Sequence, residues 1–158
     1  MCEIKFENEN KVEFDVIINT NGKDIMKGGV YGFYLDDKVL LYIGQTFHFL
    51  SRLSQHLFEL RRDASYFGLD ELKNEHTITF KIIDDSIPYE FDNSDRENEK
   101  AKEKENKKAR LLKEKDKILE CKPILQYNEN KKIKHRTTDA LITDSCLRNK
   151  IVKDIIEK

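Results

Sequence analysis

The chain has 158 residues, room for one modest domain, and a hydrophobic share of 38% supports a single core of limited size. Its 29 basic residues nearly cancel 30 acidic ones, leaving a net charge of −1. That balance excludes indiscriminate wrapping of duplex by a basic surface, so nucleic-acid contact has to come from a local basic patch.

In chain order, residues 1–24 read as an N-terminal extension. It carries one strand-like stretch, Val12–Ile18, closed by the turn-forming Asn19-Thr20-Asn21-Gly22. Two β-rich runs follow, Gly29–Leu35 and Val39–Gly44, parted by Asp36-Asp37-Lys38. Aromatic and β-branched residues around a short polar break predict a β-hairpin. Phe47–Asp63 reads as a helix with Leu50, Leu53, Leu57 and Leu60 on one stripe. Arg52 and His56, four apart, fall on the edge of that stripe, about 100° from its centre. Thr77–Ile83 alternates as a third strand.

Residues 95–110 are almost purely charged and read as a helical insertion whose default is a solvated face. An apolar side begins only at Leu111 and continues through Leu112, Ile118 and Leu119. One long helix is expected, its first half in water, its second half packed, ended by Pro123. Ile124–Asn128 reads as a short extended segment. Residues 129–158 read as a basic loop, with Lys131, Lys132, Lys134 and Arg136, followed by a C-terminal helix over Asp139–Glu157. Hairpin, helix, strand and long helix, without a second parallel unit, predict an α/β (α+β) domain. Its sheet should be small, mainly antiparallel and three-stranded, with flanking helices.

Cys2, Cys121 and Cys146 are far apart and form no C-x-x-C pair, which argues against a zinc site or disulfide framework. No apolar run approaches the ~20 residues of a membrane span, and MCEIKFENENKVEF is too acidic and too broken for a signal peptide. A soluble, cytoplasmic protein with no membrane partner is the expectation.

Gly29-Val30-Tyr31 followed by Tyr42-Ile43-Gly44 resembles the paired tripeptide signature of GIY-YIG nucleases, a family with excision-repair, homing and restriction branches. The resemblance spans Gly29–Asn128, within a nuclease-like domain of residues 25–128. It implies a catalytic set of Tyr31, Tyr42, Arg52, His56 and Asn128, with Glu114 as the metal ligand. Tyr42 is implied as the general base and Tyr31 as the orienter. The run of nine residues from Glu114 to Pro123 resembles the repair branch and favours Glu114 over Glu97, Glu99, Glu103 and Glu105. Gln45 and His48, together with the basic loop, are implied contacts to nucleic acid, with Lys107–Arg110 as a further basic segment. The implied function is endonucleolytic hydrolysis of DNA with Mg²⁺ or Mn²⁺. A non-catalytic binding module on the same fold and an RNA-directed nuclease are the alternatives.

Elementary chemistry explains the residue types. Phosphodiester hydrolysis needs an activated water and relief of charge on the phosphate oxygens. Arginine's planar fork suits a phosphate gaining charge, and one carboxylate suffices for a hard cation that keeps several waters. A phenol acts as base only if its pKa of about 10 is lowered.

Geometry adds a condition: Tyr31 and Tyr42 should share one sheet face beside Arg52. A four-residue loop Leu35–Lys38 sets them opposite, while a two-residue loop at Asp37-Lys38 sets them diagonal. Glu114, three residues after Leu111 and four before Ile118, should border the apolar stripe. Glu97, Glu99, Glu103 and Glu105, which lack apolar partners, should point into water.

Overall fold

The computed structural model describes residues 2–7, 13–62, 64–70, 72, 76–86, 96–126 and 145–158. Five strands form one sheet: β1 Cys2–Glu7, β2 Glu13–Asn19, β3 Gly29–Leu35, β4 Val39–Thr46 and β5 His76–Asp84. Three α-helices accompany it: α1 Phe49–Arg62, α2 Arg96–Cys121 and α3 Ser145–Ile156. The strand order is β1-β2-β5-β3-β4. β2 runs parallel to β5, and the other neighbours pair antiparallel.

The α+β class holds, but the sheet has five strands rather than three. The expected antiparallel trio is present as β5-β3-β4. Residues 1–24, expected to precede the domain, supply β1 and β2, and β2 lies along β5 through Phe14↔His76 to Asn19↔Lys81. The alternation of Cys2-Glu3-Ile4-Lys5-Phe6-Glu7 is the signal for the unforeseen β1.

The β3–β4 turn places Asp36 and Asp37 at φ 51° and 56°, and the Lys38 amide donates to the Leu35 carbonyl at 3.1 Å. Two central residues with positive φ make a type I′ turn, whose twist suits a hairpin and which aspartate tolerates. A bulge then changes the register. Tyr34 faces Leu40, but Phe33 faces Tyr42 and Tyr31 faces Gly44, so Leu41 is the extra residue. The result is the diagonal arrangement of Tyr31 and Tyr42, reached by a turn at Asp36-Asp37 plus a bulge.

The helices cover different faces. Phe49, Leu53 and Leu60 of α1 join Val152 of α3 over Val16, Ile18, Tyr31, Phe33, Tyr42, Ile78 and Phe80. Ile118 of α2 packs on the other face against Val30 and Ile43. Alternation along β3 and β4 produces this division. The buried stripe of α1 is Phe49, Leu53, His56 and Leu60, whereas Leu50 is exposed. The stripe is thus turned by about half a residue step from the leucine stripe, because the larger Phe49 ring is buried among the sheet aromatics; His56 moves from the edge to the centre.

Beyond α2, residues 124–126 form a turn rather than an extended segment. They cap the free edge of β4. The Ile124 and Leu125 amides donate to the Leu40 and Leu41 carbonyls at 3.0 and 3.1 Å. The Gln126 side chain then completes the ladder, accepting from the Ile43 amide and donating to its carbonyl, both at 2.7 Å. An edge strand's unpaired groups are thereby satisfied.

Candidate active site

Gly44 makes the tyrosine pair possible. A Cβ there would lie 2.3 Å from the Tyr31 hydroxyl and 2.9 Å from Cε1 of Tyr42. Both rings cross over the bare backbone, with centroids 6.2 Å apart. Gly29 has a different reason: at φ 151°, a Cβ would sit 2.0 Å from the Asp84 carbonyl oxygen. The two glycines flanking the paired tripeptides are therefore required by close approach, one to side chains and one to backbone.

Around Tyr31 the polar groups form a chain. Nε of Arg52 donates to the Tyr31 hydroxyl at 3.2 Å, and that hydroxyl lies 2.6 Å from Nε2 of His56. Nδ1 of His56 lies 3.0 Å from the Tyr66 hydroxyl. His56 is buried among Tyr31, Phe33, Tyr42 and Phe67. Burial, helped by the charge of Arg52, lowers its pKa to about 3. At neutral pH the ring is uncharged, with one nitrogen donating and the other accepting. Since Arg52 is always a donor, a neutral Tyr31 passes its proton toward Nε2, and the Nδ1–H then points to Tyr66.

Tyr31 and Tyr42 are 0% and 1% exposed, so neither ring meets solvent directly. Arg52 makes the connection outward. It lines an open cavity of about 500 Å³ together with Gln45, Thr46, Phe47, Ser51, Gln55, Glu103, Lys107 and Arg110. Its NH1 also donates to Oε1 of Gln55 at 2.9 Å. This cavity joins α1, the end of β4 and the first half of α2.

The α2 side differs from the expectation. Glu103 does not point into water but binds NH2 of Arg110 at 2.6 Å. Arg110 is 2% exposed, and its Nε donates to Gln45 at 3.1 Å. Burial of Arg110 draws Glu103 inward, since a buried guanidinium without a counter-charge costs several kcal/mol, on the order of 3–5. Glu114, Arg110 and Ile118 share the stripe of α2 turned to the sheet, and Glu114 is 1% exposed. Ile118 meets the Val30–Ile43 face, opposite the face that carries the Tyr31 cluster, and Glu114 does not line the cavity.

The remaining expected residues divide simply. Gln45 lines the cavity. His48 holds the start of α1, where its Nδ1 accepts from the Ser51 amide at 3.2 Å, and it does not line the cavity. Asn128, Lys131, Lys132, Lys134 and Arg136 lie outside the described residues, as does the start of the expected C-terminal helix. Tyr66 is the member sequence reasoning did not single out, and Arg110 entered only as the end of the basic segment Lys107–Arg110, without a buried role. The stripe Glu103, Lys107, Arg110, Glu114, Ile118 at helical spacing was the available signal for Arg110; Tyr66 had none.

Among the described residues no three His, Cys, Asp or Glu side chains converge as a metal cluster. The available donor chemistry is that of single carboxylates. Such a donor fits a hard cation that keeps most of its waters, and does not fit an all-protein cage. No helix among the described residues is long and apolar enough to cross a membrane. Compared with models of protein families, with curated proteins and with solved structures, the chain finds no match in any of the three.

Proposed function

We propose that this protein hydrolyses phosphodiester bonds of nucleic acid, DNA in the first instance, at a GIY-YIG-like site. The observation that carries the reading is the chain Arg52–Tyr31–His56 standing behind an open cavity that Arg52 itself lines. Tyr31 binds Nε of Arg52 from the protein side, which presets the guanidinium plane for a phosphate arriving in the cavity. Neutral His56 keeps Tyr31 oriented and adds no charge beside Arg52, so the site's positive field stays with the guanidinium. On this reading Tyr31 orients Arg52.

Mg²⁺ or Mn²⁺ belongs to the same proposal, with Glu114 as its carboxylate; when bound, the ion relieves charge on the phosphate oxygens. Arg52 contributes independently of it, holding the non-bridging oxygens as they gain charge. Burial of both tyrosine rings favours a second reading, a binding module without catalysis.

One experiment separates them: incubation with supercoiled plasmid, branched DNA and RNA, each with Mg²⁺, with Mn²⁺ and with chelator. The hydrolytic reading expects nicked or linear DNA only with metal, and none from Glu114→Gln. Retained binding without cleavage of any substrate overturns it in favour of the binding module. Cleavage of RNA alone redirects it.

A further inference from the structure

Among the described residues Arg110 is the largest fully buried side chain, on a helix half whose sequence is almost entirely charged. Its bonds are incomplete. Nε meets Gln45 and NH2 meets Glu103, but NH1 is buried with no hydrogen-bond partner. Glu103 is in a matching state: Oε1 binds Arg110 while Oε2 is buried without a partner. Both residues line the cavity that Arg52 and Lys107 also line, giving three cations and one carboxylate around about 500 Å³.

A protein core retains a half-satisfied charge pair at a cost, which points to a state in which the missing bond is made. The missing ligand must be an anion with more than one acceptor oxygen, able to engage the planar fork of Arg110 while Arg52 and Lys107 meet its charge. A backbone phosphodiester has this character: one negative charge, like the carboxylate it would replace, and two non-bridging oxygens.

We propose that Glu103 is a built-in competitor for a nucleic-acid phosphate. It occupies Arg110 in the unliganded protein and yields Arg110 to the backbone phosphate of a strand entering the cavity. Glu103 is the partner that can leave, since its side chain is 32% exposed while that of Arg110 is 2% exposed. Gln45 keeps Nε of Arg110 in place during the exchange, which gives Gln45 a positioning role rather than a direct contact. The carboxylate also sets a threshold: weakly held anions do not displace it. The proposal rests on the reading that nucleic acid is the ligand, but not on catalysis.

The test is binding of fluorescein-labelled single-stranded DNA, duplex DNA and RNA by fluorescence anisotropy in EDTA, with inorganic phosphate as a separate competitor. Glu103→Gln keeps a hydrogen bond to Arg110 and removes the competing charge, so affinity should rise by roughly three- to tenfold. Glu103→Asp, too short to reach Arg110, should act in the same direction. Lys107→Gln, an exposed change that leaves folding intact, should weaken binding and lower the salt slope by about 1.

Unchanged or weaker binding by both Glu103 variants, each melting like the parent, overturns the proposal. Equal displacement by millimolar inorganic phosphate also overturns it, because the cavity would then be a simple ion site. Tighter binding by Glu103→Gln with no cleavage by the parent keeps the competitor and sinks the hydrolytic reading. Metal-dependent cleavage with indifferent Glu103 variants does the reverse.

Discussion

On the face of the sheet under α1 and α3, Tyr31, Phe33, Tyr42, Phe67 and Phe80 form an aromatic layer, with His56 enclosed in it. On the face under α2, the apolar cluster is small, Ile118 against Val30 and Ile43 with Leu40 and Ile83 beside them, and ion pairs flank it: Arg110 with Glu103, and Lys113 with Asp84 at 3.2 Å. Both faces bury polar groups, but by different physics. The first satisfies neutral groups within a chain of hydrogen bonds, so its polar members cost little to enclose. The second encloses formal charges, which stay costly unless every bond is made. An arginine backed by a neutral chain, Arg52, belongs to the first face, and a half-satisfied ion pair, Arg110 with Glu103, to the second.

The largest effect that would break this contrast is on Arg52. Arg52→Lys keeps the charge but loses the fork and the Nε contact to Tyr31. On the proposed hydrolytic function, cleavage should fall by about 10²–10³, or about 3–4 kcal/mol of barrier, with an unchanged melting profile. Near-parental cleavage would make Arg52 an ordinary surface residue.

Acid should act on the first face before the second. Burial holds the pKa of His56 at about 3 in the folded protein, while the unfolded chain titrates near the ordinary histidine value of 6.5. Between those values the unfolded state binds the extra proton, so stability is complete above 6.5 and declines as pH falls toward 3. The slope is roughly 1.4 kcal/mol per pH unit for this one group. Chemical denaturation across that window should show the decline, and His56→Phe should flatten it. Equal slopes in the two proteins would remove His56 from the core chain.

Gly44→Ala sharpens the comparison from the backbone side. Its Cβ would fall 2.3 Å from the Tyr31 hydroxyl, so the ring must shift or the strand must bend. A loss of about 1–3 kcal/mol in stability is expected, together with reduced cleavage, because Arg52 loses its backing. Parental stability would mean that the tyrosine has room the structure does not show.

The smallest effect belongs to the second face. Lys113 and Asp84 are partly solvent-screened, with side chains 35% and 24% exposed. Lys113→Ala should cost no more than about 1 kcal/mol in thermal unfolding, and less at high salt. A larger loss would mean that ion pairs, and not only Ile118, anchor α2.

Much of the frame was legible from residues 29–46 and 47–63, because alternation and helical spacing are local properties of a chain. The hairpin, α1, β5 and the extent of α2 follow from them, although Leu112 and Leu119, read as part of the apolar side of α2, are exposed. Placing Tyr31 and Tyr42 on one face took the bulge as well as alternation. That alternation also separates Val30 and Ile43 from the tyrosines, so two-sided packing was implicit in the same pattern.

Other features depended on partners distant in sequence. The bulge at Leu41 moved Tyr31 from the register of Ile43 to that of Gly44, and no local rule placed it. The leucine periodicity of α1 put His56 at an edge, whereas burial of Phe49 turned the helix and enclosed it. Residues 2–7 and 13–19 joined the sheet because β5 offered an edge to β2 and β2 offered one to β1. The charge run of α2 showed the same limit: composition alone sends Glu103 into water, and only the buried guanidinium of Arg110 brings it back. Pattern along the chain determines which elements form and which side chains share a face. Register, helix rotation and the pairing of buried charges were decided by packing, because each is the lowest-energy compromise among groups far apart in sequence.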